Sequence, residues 1–164
     1  MKVLATDQAT RISGYSLFDN NEYICSGTID MSKSELDTDE RSFEMAKEIW
    51  KVINKHRPDV LIIENVQKQT STSTVITLAR LQGEIIGYAE AHGVKTYIVS
   101  PSQWRKALGF SQGPKVKRKE LKQQSIDYVK KNYGIDVSED EMEAIAINAA
   151  AHKIFNFPDD EDIW

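Results

Sequence analysis

A single cysteine, Cys25, occurs in the 164 residues, so no disulfide can form within the chain. Cys25 is expected as a half-buried strand residue. That one cysteine and three histidines exclude a Cys/His zinc site of the usual spacing. No apolar run approaches the roughly 20 residues of a membrane span. The first residues also lack the apolar centre of a secretory signal. These absences predict a cytoplasmic protein. What is present is ordinary for a globular chain: 40% apolar and 28% charged residues, with length for one domain and a real core. No repeat and no long linker divides it. The expected organisation is one domain over 1–157 and an acidic tail over 158–164.

The formal net charge of −4 speaks against a polyanionic partner, but its distribution does not. Residues 101–133 carry nine Lys/Arg against two acidic residues; residues 134–164 carry nine acidic residues against one lysine. A phosphate backbone senses the local field rather than the sum, so this segregation leaves nucleic acid open as a ligand.

Periodicity and punctuation give the elements. Lys2–Asp7, Ile12–Asp19 and Glu22–Ile29 read as strands, the last two joined at Asn20-Asn21, a tight-turn signal. Asp37 followed by Glu40 marks a helix start; Phe43, Ala46, Ile49, Trp50 and Ile53 recur at helical spacing, and Pro58 bars continuation. Val60–Glu64 reads as a strand whose continuous apolar run, Val60–Ile63, suits a central parallel strand covered on both faces. A polar loop is expected over Gln67–Ser73, a helix over Thr74–Ala91 closed by Gly93, and a strand over Thr96–Val99. Ser100-Pro-Ser-Gln103 opens a short helix, a loop follows over Gly109–Pro114, and a basic helix is expected over Lys115–Tyr133. Ser138-x-x-Glu141 opens the last helix, running to about Phe155. Trp50 and Trp104 read as core anchors.

The order predicts an α/β fold: a mixed five-stranded sheet, three strands antiparallel and two parallel, flanked by helices. A right-handed crossover sets strand four beside strand one and parallel to it. Their C-terminal residues, Asp7 and Glu64, then become neighbours where open α/β sheets bind ligands. A third acidic source, Ser138–Glu143, opens a helix. A carboxylate at the tip of a buried strand is costly unless something positive meets it. Three such sources converging suits a hard divalent cation and points to metal-dependent phosphate chemistry. Glu141 fits the capping box, and a capping role is its simpler reading. The basic run Lys115-Val-Lys-Arg-Lys-Glu-Leu-Lys122 reads singly as a solvated helix face and as a group as a phosphate-binding surface, extended by Arg105 and Lys106. On the helix over 74–91, Ala79, Gly83 and Gly87 form a stripe of small residues. It permits a close helix crossing, either against the sheet or against a second copy.

Three segments carry a family resemblance: Asp7-Gln-Ala-Thr-Arg-Ile-Ser-Gly14-Tyr15, Ile62-Ile-Glu64-Asn-Val66 and Asp140-Glu-Met-Glu143-Ala-Ile-Ala-Ile147. In this order, they resemble the RuvC Holliday-junction resolvases of the ribonuclease-H-like superfamily, over roughly residues 1–155. The short C-terminus and Trp104-Arg-Lys-Ala-Leu-Gly109 look closer to phage-type members, whose place would be the bacterial host cytoplasm. The resemblance implies a homodimeric endonuclease that cuts four-way DNA junctions with Mg²⁺ or Mn²⁺, two ions per site. By match, the four acidic ligands fall on Asp7, Glu64, Asp140 and Glu143, with Glu139 as an alternative fourth. Asp7 would bridge two ions, Glu64 flank one, and Asp140 with Glu143 flank the other. A basic residue near the scissile phosphate is implied among Lys117, Arg118 and Lys119. DNA contacts are implied for Gln67, Lys68, Arg105, Lys106, Lys115, Lys117, Arg118, Lys119 and Lys122. Dimerisation is implied through the helix over 74–91.

Two positions depart from the family pattern. The fourth acid is usually Asp and is here Glu143, one methylene longer, at a site where Mg²⁺ demands near-ideal geometry. Many relatives also carry an aromatic three residues after the second acid; here it is Gln67, which cannot stack on a base. Weaker sequence discrimination is expected, with recognition resting on branched shape. The departures keep two alternatives open: a nuclease preferring flaps, forks or other branches, and a catalytically weak junction-binding protein. An actin-like kinase or ATPase also begins with an Asp-ended strand, but the chain is too short for two such domains and lacks a Gly-rich phosphate loop.

Overall fold

The computed structural model describes residues 1–68 and 71–157. Gln69, Thr70 and the acidic tail Pro158–Trp164 lie outside the described residues. The elements follow as β1 (Lys2–Asp7), β2 (Ile12–Asp19), β3 (Glu22–Asp30), α1 (Thr38–His56), β4 (Val60–Glu64), α2 (Thr72–Ala91), β5 (Lys95–Val99), α3 (Pro101–Ala107), α4 (Arg118–Tyr133) and α5 (Glu139–Phe155). The five strands form one sheet in the order β3-β2-β1-β4-β5. The β1–β2 and β2–β3 pairs are antiparallel, while β1–β4 and β4–β5 are parallel.

Alternation along the strands divides the core into two faces. Leu4, Leu17, Leu61 and Ile63 meet Met45, Ile49 and Ile53 of α1 and Leu81 and Ile85 of α2. On the opposite face Val3, Ala5, Val60 and Ile62 meet Trp104 of α3 and Ala146, Ile147 and Ala150 of α5. Helix α5 is apolar nearly all round because it is covered on two sides. Beyond the sheet contacts, Met142, Ile145 and Ala149 pack with Phe18 and with Val129 of α4. Asp7 and Glu64 share the side-chain parity of Ala5 and Ile62, so both leave the sheet toward α5.

A buried polar network locks α5 onto the sheet. Asn148 is fully buried and donates from Nδ2 to the Val3 carbonyl at 3.0 Å and the Ser16 carbonyl at 3.1 Å. Ser16 Oγ donates in turn to the Ala144 carbonyl at 2.8 Å. Nearer the helix start, Gly14 of β2 lies under the backbone of Asp140: a Cβ at position 14 would sit 2.1 Å from that carbonyl oxygen. Gly14 pairs with Asp7 across the sheet, so one contact sets α5 against the end of β1.

The three expected capping boxes are present, at Asp37/Glu40, Ser100/Gln103 and Ser138/Glu141. Other boundaries differ from the expectation. Helix α2 begins at Thr72 because Ser71 caps it, accepting from the Thr74 amide. The basic helix begins at Arg118, not Lys115: Val116 closes a turn onto the Gly113 carbonyl, and Lys117 stands at the N-cap, its amide donating to Glu120. Phe43, expected on the inner stripe of α1, is 45% exposed; the buried stripe runs instead through Ser42, Met45, Ala46, Ile49 and Ile53. Trp104 is buried, whereas Trp50 is half-buried and stacks on Tyr88 at the edge of the core. Among the described residues, no helix is long and apolar enough to cross a membrane.

The close approach at Gly14 is testable. Gly14→Ala forces β2 and α5 apart and is expected to destabilise the protein by about 1–3 kcal/mol, the usual cost of overpacking. Urea denaturation measures this; an unchanged midpoint and slope would show that the contact is slack.

Candidate active site

The site grows from the parallel register. Thr6 pairs with Ile63, so Asp7 and Glu64, one residue further, end their strands side by side. Helix α5 enters above them, with Asp140 and Glu143 on one face a turn apart. Asp7, Asp140 and Glu143 each offer a carboxylate oxygen, all within 4.8 Å of one another. Glu64 stands outside that tight group: Trp104 Nε1 donates to its Oε1 at 2.7 Å. The Glu64 backbone is held as well, its carbonyl accepting from Gln8 Nε2 at 2.5 Å and Gln82 Nε2 at 3.1 Å.

Burial and like charge govern the electrostatics. Burial, then the charges of Glu64 and Glu143, a carboxyl–carboxyl hydrogen bond with Glu143 and the charge of Asp140 push Asp7 well above the usual carboxylate range. Burial also raises Glu64; the Trp104 hydrogen bond and the Arg105 charge oppose it, and the Glu143 charge adds to it. Oxygen donors this crowded fit a hard divalent cation, which would replace the shared protons and cancel the repulsion.

The four acids line a cleft of about 470 Å³ together with Gln8, Asn65, Gln67, Lys68, Arg105, Arg118 and Lys122. Of the ambiguous basic trio, Arg118 lines this cleft, while Lys117 and Lys119 are exposed outside it, as are Lys106 and Lys115. The helix turn explains the split: Arg118 and Lys122 are four residues apart on one face of α4. Lys122 Nζ lies 3.1 Å from Glu139. Partial burial lowers the Lys122 ammonium, but the Glu139 hydrogen bond and the charges of Glu143, Glu139 and Asp140 outweigh it and raise it. Glu139 is therefore engaged outside the acid cluster, whereas Glu143 lies within it. Glu141 caps α5. Burial pushes its carboxyl up, but hydrogen bonds from the Ser138 hydroxyl, Ser26, the Ser138 amide and Thr28 bring it below the usual range.

The family described as Crossover junction endodeoxyribonuclease RuvC matches residues 3–151. The chain belongs to the RuvC family. Among curated RuvC relatives, the Syntrophomonas wolfei protein is 29% identical over 112 residues, which cover 66% of this chain and 64% of that protein. The Fusobacterium nucleatum RuvC is 28% identical over 126 residues, covering 75% and 65%. The chain thus spans slightly less than two thirds of the length of these relatives. A solved structure, T. thermophilus RuvC in complex with Holliday junction substrate, shares the fold with a TM-score of 0.72 at 15% identity, covering 95% of each chain. The mixed sheet and its helices are thus the ribonuclease-H-like arrangement of the RuvC fold.

Sequence reasoning missed Gln8, Gln82 and the indole of Trp104 as groups that hold Glu64. The two glutamines act on a main-chain carbonyl distant in sequence, for which no local pattern exists. Trp104 carried a signal, since a buried indole N–H seeks an acceptor.

The raised carboxyls make stability depend on pH. The folded, metal-free protein holds protons that the unfolded chain releases, so stability falls as pH rises from about 4, the ordinary carboxylate value, through the raised value of Asp7. Asp7→Asn is expected to flatten that fall and raise the metal-free Tm at neutral pH, by about 2–4 °C per kcal/mol of repulsion removed. Thermal melts in chelator from pH 4 to 8 check it; a lower neutral Tm in the variant would contradict it.

Proposed function

We propose that this chain is a divalent-metal-dependent, structure-selective endonuclease that resolves four-way DNA junctions by paired phosphodiester hydrolysis. The observation that carries the reading is the meeting of Asp7, Asp140 and Glu143 in one cleft, with Glu64 beside them and Arg105, Arg118 and Lys122 around them. Anionic ligands for hard cations and cationic groups for phosphate stand within one concavity. Bound Mg²⁺ or Mn²⁺, as a pair, would supply an activated water and stabilise the leaving oxygen. Asp7, Glu64, Asp140 and Glu143 would hold the ions. Arg118 and Lys122 orient the phosphate from α4, and Arg105 does so from α3. Lys68 and the exposed Lys106, Lys115, Lys117 and Lys119 continue the basic surface along the DNA arms. The reach of Glu143 into the acid cluster disfavours a catalytically weak binder. The protein acts in the cytoplasm, that of a bacterial host if phage-encoded.

Among the described residues, those lining the cleft include no aromatic side chain, and Gln67 and Lys68 are among them. This supports cleavage guided by branch geometry rather than by base sequence. It also favours one alternative, activity on flaps and forks as well as four-way junctions.

Pairing the cuts asks for two sites related by a two-fold axis. Helix α2 buries Thr77, Leu81, Gln82, Ile85 and Ala89, and leaves Ala79, Gly83 and Gly87 exposed. A Cβ at Gly83 or Gly87 would meet nothing within 4 Å, so this stripe is not spent on the chain's own sheet. We assign it to a second copy of the chain.

Two experiments test these assignments. Nicking of four-way junction, flap, fork and linear duplex in Mg²⁺ and Mn²⁺ is expected to favour the branched substrates. Asp7→Asn should slow it by more than about 100-fold, the scale of losing one charge-stabilising group; wild-type rates in that variant would end the site assignment. Separately, Gly83→Leu should convert a dimer to a monomer by light scattering while leaving the circular dichroism spectrum intact. A dimer that survives Gly83→Leu and Gly87→Leu together would place the interface elsewhere.

A further inference from the structure

We propose that Trp104 is a positioning residue for Glu64: its indole N–H holds one carboxylate oxygen and so presents the other to the cation site. The inference rests on the nuclease reading above. Trp104 Nε1 lies 2.7 Å from Glu64 Oε1, and the residue is 1% exposed. An indole N–H donates and cannot accept, so the contact has one polarity and favours the ionised carboxylate. The ring cannot easily turn away. It packs in the core of the α5 face of the sheet, meets Phe110 edge-on at 5.8 Å, and carries the Arg105 guanidinium over its face at 4.8 Å. Its place in the chain is equally fixed, because α3 starts with the Ser100/Gln103 box and Pro101 at the first turn.

The arrangement also accounts for an asymmetry in the site. Asp7, Asp140 and Glu143 converge, whereas Glu64 stays apart although its strand ends beside β1. The indole draws Glu64 toward α3. With the Glu64 carbonyl fixed by Gln8 and Gln82, both the backbone and one carboxylate oxygen are committed before any ion arrives. With one lone pair of Oε1 engaged, Oε2 is the less committed oxygen for coordination. Holding a ligand from behind typically contributes 10–100-fold to metal affinity or rate.

The test uses the full chain and Mn²⁺. Trp104→Phe keeps an apolar ring and removes the donor. A single benzothienylalanine at 104 keeps the indole shape and removes only the N–H, in case the Phe variant packs poorly. Calorimetric Mn²⁺ affinity is expected to fall about 10–100-fold in both. The Mn²⁺ concentration for half-maximal nicking should rise in parallel, while junction affinity in chelator stays within about twofold. In a Glu64→Gln background the same replacements should cause no further loss of Mn²⁺ affinity. Unchanged Mn²⁺ affinity in either folded variant, or an equal loss in the Glu64→Gln background, overturns the proposal. Failure of the unmodified chain to bind Mn²⁺ or to nick would instead overturn the nuclease reading on which it rests.

Discussion

Carboxylates resist being gathered, and this fold gathers several at the ends of two buried strands. The strain is visible in Asp7, whose carboxyl is pushed well above the usual range by burial and by Glu64, Glu143 and Asp140 around it. Such a cluster survives only if the scaffold around it is over-determined. Here the restraint comes from α5. The helix is apolar on nearly every side, is bound to the sheet through Asn148 and Ser16, and rests its first turn on Gly14. The helix cannot withdraw its acids from β1 without breaking buried hydrogen bonds in the middle of the protein.

The opposite charges are distributed by the same logic. Helices α3 and α4 bring Arg105, Arg118 and Lys122 into the same cleft as the acids. Lys122 is shared between these roles, bonded to Glu139 and raised by the acids of α5. The site therefore sets both signs of charge against one concavity. The chain's small negative net charge hides this because the two populations nearly cancel in the sum.

Much of this was legible beforehand, for identifiable reasons. Strands β1, β2 and β4 are short and bounded by charged or turn residues, so their limits coincide with the expected ones. Strand order made Asp7 and Glu64 neighbours, while the places of Asp140 and Glu143 beside Asp7 were implied by the family resemblance. Less legible were features set by distant contacts. Lysine is not a recognised cap, so nothing local marked Lys117 as the residue before α4. Phe43 kept helical spacing with buried neighbours, yet the covered stripe passes beside it. Trp104 read correctly as core, but its second function depends on a carboxylate forty positions earlier.

The approach at Gly14 differs in kind from the other contacts around the site. Its opposing atom is the main-chain oxygen of Asp140, which every amino acid at 140 would present equally. No exchange at 140 could therefore accommodate a bulkier neighbour at 14. A lineage drifting at that position has no compensating second substitution across the contact, and the two sites should fail to covary despite touching.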